Sequence, residues 1–165
     1  MARNELPINI LLYDTARLGR RCFDRRARPL GLTQPQWRML AVLSRNEGIN
    51  QVSLAEYLDI QPITLTRQVD RLEANGWVKR QPDPKDRRAT LLYVTPKAQP
   101  LVDQIWELAD GLASDMLEGV SAEDREKAHE VLTKMRANFL RIEAAETDDC
   151  RAVNVEWTLE PTTKD

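Results

Sequence analysis

The stretch from Gln61 to Lys97, QPITLTRQVDRLEANGWVKRQPDPKDRRATLLYVTPK, constrains this chain more than any other. A helical pattern opens at Gln61-Pro62 and stops at Asn75-Gly76. An extended run, a basic turn and a second extended run follow. On a helical wheel Leu65, Val69 and Leu72 share one narrow arc, at i, i+4 and i+7, which is the face a helix buries. The opposite arc holds Ile63, Thr64, Arg67 and Arg71, with Pro62 opening the helix and Thr66 beside them. Arginine can grip a guanine edge with two hydrogen bonds; threonine offers a hydroxyl to phosphate or base and a methyl to thymine. The turn PDPKDRRA packs Lys85, Arg87 and Arg88 between strands that must stay close, more cations than a plain solvated turn needs. A helix followed by a two-stranded hairpin with a basic tip has the shape of a winged helix-turn-helix. The expected class is therefore mainly α with a small β-hairpin (α+β), with the remaining helices forming a dimerisation region.

Overall charge is only −2, but it is unevenly spread: +4 over residues 1–30, +4 over 61–97 and −9 over 98–165. Such asymmetry points to one surface that faces nucleic acid. Arg67, in the middle of the exposed arc, is the candidate for base readout; pairing with Asp70 or Asp59 is its plainer alternative. Arg71, nearer the helix end, suits a phosphate. Of Arg87 and Arg88, one is expected to point outward and the other to be tied back by Asp83 or Asp86.

Catalysis has little to work with. The single histidine, His129, lies in a polar helical pattern, Cys22 and Cys150 form no C-x-x-C pair, and no glycine-rich phosphate loop is present. Neither a Ser-His-Asp triad nor a histidine or cysteine metal site can be assembled. No enzymatic activity, cofactor or metal is expected. Apolar runs fall short of the ~20 residues a membrane span needs, and no signal-peptide pattern opens the chain, so cytoplasm is the expected location with no membrane partner.

Along the chain, residues 6–28 read as one helix with Leu11, Leu18 and Cys22 on a single face. Thr33-Gln34-Pro35-Gln36 is a capping box that launches a helix to about Gly48. A short extended piece, Asn50–Val52, precedes a second expected box at Ser53–Glu56 with a helix to Leu58 or Asp59. Strands are expected over Trp77–Gln81 and Thr90–Val94. Thr95-Pro96 then caps a helix to Gly119, and Ser121–Asp124 starts a last one whose pattern dissolves from Glu143. The expected division is a winged helix-turn-helix over 33–94, a helical dimerisation region from 1–32 and 95–143, and a C-terminal tail over 144–165, with Val153–Trp157 pinned back by its tryptophan. The first and last two helices carry more apolar surface than the small central unit can cover, so a homodimer is expected.

The segments FDRRARPLGLTQPQWRML and DPKDRRATLLYVT, with the wing signature D-x-x-D-R-R, resemble the MarR family of bacterial transcription regulators over residues ~6–143. LTQPQW and QPITLTRQVDRLEANGW resemble its SlyA-like branch most. The resemblance implies a homodimer on a pseudo-palindromic operator in double-stranded DNA, one recognition helix per major groove and each wing in a minor groove, with Arg88 inserted and Arg87 structural. It also implies release of DNA by a small aromatic, anionic ligand such as an aromatic carboxylate, and repression as the mode of action. On that likeness Trp37 would wall the ligand pocket, with Arg17 or Arg20 as counter-charge; ordinary core packing is the alternative for Trp37. Peroxide sensors of the family carry a reactive cysteine just before the first-helix L-L-Y. Here that position is Asn9, and Cys22 reads as inert packing. A winged helix that binds another protein is the competing class, but it would want an apolar or acidic recognition face, and this one is cationic.

Overall fold

The structure, a computed structural model, describes residues 6–86 and 88–146. Arg87, Cys150 and the Val153–Trp157 segment lie outside the described residues. The order is α1 (Ile8–Ala27), α2 (Gln34–Arg45), β1 (Ile49–Asn50), α3 (Gln51–Leu58), α4 (Pro62–Ala74), β2 (Val78–Pro82), β3 (Thr90–Val94), α5 (Gln99–Met116) and α6 (Ala122–Glu146). The class is as expected, mostly helical with a small antiparallel sheet.

Local chemistry sets the boundaries. After α1 the chain makes a 3-10 turn and reverses at Gly31, whose φ of 67° is left-handed and costs glycine no Cβ clash. The expected box at Thr33 forms: its N–H donates to Gln36 Oε1 at 2.8 Å, and its side chain accepts from the first turn in return. The second expected box does not form. Asn50, not Ser53, caps α3; its Oδ1 accepts the Ser53 N–H at 2.8 Å. Asn50 is held extended because it pairs with Leu91 across β3, and this carries its carboxamide to the helix end. The extended piece is therefore the two-residue strand β1, one position earlier than expected. It turns the hairpin into a three-stranded sheet, order β1-β3-β2.

Smaller shifts occur elsewhere. β2 starts at Val78 rather than Trp77, because the Trp77 N–H turns back to Leu72 O at 2.9 Å. Thr95-Pro96 opens a 3-10 turn before α5 instead of the helix itself. α6 continues past Glu143 to Glu146, although its apolar periodicity has already ended.

The core lies where α2, α3, α4, the sheet and the start of α5 converge. Leu65, Val69 and Leu72 are fully buried, as the wheel predicts, in one cluster with Met39, Leu40, Leu43, Leu54, Leu92 and Ile105. α1 joins that cluster only at its end, through Phe23 and Ala27, while α6 contributes no buried residue. Leu11, Leu18, Val131, Leu132, Phe139 and Ile142 stay exposed. An open apolar groove of 590 Å³ separates α1 from α6, lined by Ile8, Leu11, Leu12, Val131, Leu132 and Met135. Cys22 is half-buried with a guanidinium nitrogen of Arg25 3.5 Å from its sulfur, and His129 is exposed. Among the described residues, no helix is long and apolar enough to cross a membrane.

Candidate nucleic-acid interface

Burying Leu65, Val69 and Leu72 forces the other side of α4 outward. Pro62, Ile63, Thr64, Arg67 and Arg71 are all exposed, with Ile63 at 63%. Thr66 is the exception. It is half-buried, and its hydroxyl donates to Pro62 O one turn back at 3.0 Å, so that donor is spent within the helix. Neither Arg67 nor Arg71 has a side-chain partner among the described residues. The pairing of Arg67 with Asp70 that its spacing allowed is not made, because Asp70 is engaged by another cation.

That cation is Arg80, on the inner face of β2. Its Nη2 donates to Asp70 Oδ1 at 2.6 Å, Nη1 to Glu73 and Nε to Gln51 Oε1 at 3.0 Å. Burial works against the Arg80 charge, but hydrogen bonds and charge from Asp70 and Glu73 outweigh it, so the guanidinium holds its proton more tightly than an ordinary arginine. One side chain thus fastens the wing to both α4 and α3. Sequence reasoning missed this residue. The available signal was strand alternation: Val78 and Arg80 share the face that meets the core, and Asp70-x-x-Glu73 is the matching acidic pair.

At the wing tip, Asp83 Oδ1 accepts the Lys85 N–H at 2.7 Å and Asp86 Oδ1 accepts the Arg88 N–H at 2.9 Å. Both carboxylates therefore shape the turn backbone, and the exposed side chains of Lys85 and Arg88 have no partner among the described residues. The expected tie-back of Arg87 falls outside those residues. Behind the helix, Lys97 Nζ donates to Asn75 O at 2.8 Å and Thr95 Oγ1 to Gly76 O at 2.6 Å, fastening the end of α4 to the root of α5.

The residues expected around a ligand fall into two groups. Trp37 is half-buried against Phe23, ring centroids 4.3 Å apart, and its indole N–H donates to Asp24 Oδ1 at 2.9 Å. Gln34 donates to the other Asp24 oxygen at 3.2 Å. Arg17 pairs with Asp14 on its own helix. Arg20 instead acts on Arg38, which sequence reasoning overlooked. Burial, then the charge of Arg20, keep the Arg38 guanidinium below the ordinary arginine value, against the opposing pull of Tyr57, Asp24 and Asp59. Trp37 is thus engaged with Asp24 and Arg17 with Asp14, while Arg20 bears on Arg38 through charge alone.

The fold and sequence match known proteins. The sequence pattern of the MarR family fits residues 32–90. A MarR transcriptional regulator from Methanosarcina mazei Go1 is 30% identical and superposes with a TM-score of 0.73, over 82% of this chain and 97% of its own. The chain belongs to the MarR family. A MarR-family transcriptional regulator from Silicibacter pomeroyi shares 28% identity over 78% of this chain and 86% of its own, TM-score 0.69. A mutant MarR from E. coli, solved complexed with operator DNA, shares 26% identity over 79% and 94%, TM-score 0.67. This MarR-family chain therefore carries a transcription-regulator fold built around a winged helix.

Proposed function

We propose that this MarR-family chain is a homodimeric repressor that binds a pseudo-palindromic operator and is released by a small aromatic carboxylate. One observation carries the DNA-binding reading: Arg67, Arg71, Lys85 and Arg88 are exposed without side-chain partners among the described residues, on the recognition helix and the wing. A similar fold from E. coli was solved on operator DNA. In this reading Arg67 takes a base edge, Ile63 and Thr64 offer apolar contact to thymine methyls, and Arg71 and Lys85 take phosphates. Arg88 enters a narrow minor groove, where negative potential is concentrated.

Residues 33–94 act as the DNA-binding unit, and 1–32 with 95–143 as the dimerisation region. The dimer is argued from α6, which has no buried residue and exposes Val131, Leu132, Phe139 and Ile142. A second copy laid along α1 and α6 would cover these, and obligate interfaces of that kind bury more than ~2,000 Å². Two recognition helices then enter successive grooves only if they lie about one helical turn apart, ~34 Å. The LTQPQW segment supports a place in the SlyA-like branch.

Effector release is assigned to the junction of α1, α2 and α3. Arg20 and Arg38 repel one another there, beside Trp37 and Asp24, and an arriving carboxylate would relieve that repulsion while an aromatic ring lies against Trp37. The test is selection of genomic fragments by the purified protein, followed by electrophoretic shift with increasing salt and with salicylate-like compounds. A retained fragment whose affinity falls steeply with salt is expected. Failure to retain any fragment at about 50 mM salt would sink DNA binding. Retention that no aromatic carboxylate weakens would sink release by ligand alone.

A further inference from the structure

Resting on the DNA-binding reading, we propose that Arg80 is a positioning residue for recognition: by occupying Asp70 and Glu73 it keeps Arg67 and Arg71 free for DNA. Asp70 lies three residues beyond Arg67 on α4, the spacing at which a carboxylate and a guanidinium meet on a helix surface. It also precedes Arg71 directly. Left alone, Asp70 and Glu73 would place two negative charges on the helix that must approach phosphate, and Asp70 would compete with the bases for Arg67.

Arg80 prevents both. It reaches across from β2, where it stands opposite Leu92 in the antiparallel register, and points inward to the helix. All three guanidinium nitrogens are engaged, with Asp70, Glu73 and Gln51, and the Arg80 backbone N–H adds a contact to Glu73 Oε1 at 3.3 Å. The side chain is only 23% exposed and each of its three nitrogens already holds a protein partner, so the effect proposed for it on DNA is the one that passes through the two carboxylates. Lysine, a single point charge, cannot hold two acids and an amide in this fork. The salt bridge that looks like scaffolding therefore sets the charge of the reading face.

The alternative is that Arg80 merely holds the wing in place. Removing the carboxylates separates the two, because it restores the charge of α4 without restoring the tether. The probe is the genomic fragment retained by the wild-type chain. Arg80→Ala should weaken its binding roughly 5- to 150-fold, the range that loss of one base-reading arginine gives. In that background Arg67→Ala should cost much less than it does in wild type. Adding Asp70→Asn and Glu73→Gln to Arg80→Ala should return affinity to within about twofold of wild type, the ordinary error of additivity. Should Arg80→Ala fail to fold by circular dichroism, Arg80→Met keeps the aliphatic stem and enters the same comparison. No recovery in the folded triple variant would overturn the proposal and leave Arg80 a structural tether. If the wild-type chain retains no fragment, the DNA-binding reading falls first and this one with it.

Discussion

Helices α4 and α6 both carry large apolar side chains, yet a single chain treats them in opposite ways. α4 buries Leu65, Val69 and Leu72 in the core and turns its cations outward. None of the 25 residues of α6 is fully buried, and Val131, Leu132, Phe139 and Ile142 stay exposed. Where a chain covers a helix's apolar side itself, the polar side is free to meet a ligand. Where it does not, the apolar side is what the proposed dimer would have to cover.

The sharpest way to break this contrast is a charge on the uncovered face. Leu132→Asp with Phe139→Asp should abolish dimerisation outright and halve the mass seen by light scattering, while the winged-helix unit keeps its helical signal. An unchanged mass would remove the case for α6 as an interface. Leu72→Ala, inside the covered face, should instead cost ~2–5 kcal/mol in chemical denaturation. A cost below that range would mean α4 is less tightly held than its burial implies. On the polar side, Arg67→Ala should leave stability within about 0.5 kcal/mol but cost ~1–3 kcal/mol of DNA affinity per half-site, with relaxed choice at one base pair. Arg88→Ala should weaken binding mainly at A·T-rich flanks. The smallest effect belongs to Lys134→Ala, which breaks the exposed pair with Glu130 on α6. It should cost less than about 0.5 kcal/mol, and a larger loss would show that this surface is not free.

Features specified within one or two turns of chain are legible in the sequence. The Thr33 box and the buried arc of α4 need only local spacing, and both form. The start of α3 was misread because Asn50 and Ser53 are both good caps. Pairing of Asn50 with Leu91, a contact more than forty residues away in sequence, decides between them. Distance also hid Arg80, whose partners come from α3 and α4, and Arg38, whose surroundings are shared among α1 and α3. At Trp37 the aromatic character was visible, but Asp24, the carboxylate its indole N–H engages, lies thirteen residues earlier on another helix.

The strand order β1-β3-β2 also bears on how this chain avoids sticking to its neighbours. The long apolar strand, β3, lies in the middle with both backbone edges paired. One outer edge, β1, is only two residues long. The other, β2, carries Lys79 and the inward-pointing Arg80 and ends on Pro82, which has no N–H to donate. A short edge, a charged edge and a proline are the means by which sheets refuse an incoming strand. Copies of this chain are therefore discouraged from joining through their wings into open-ended aggregates.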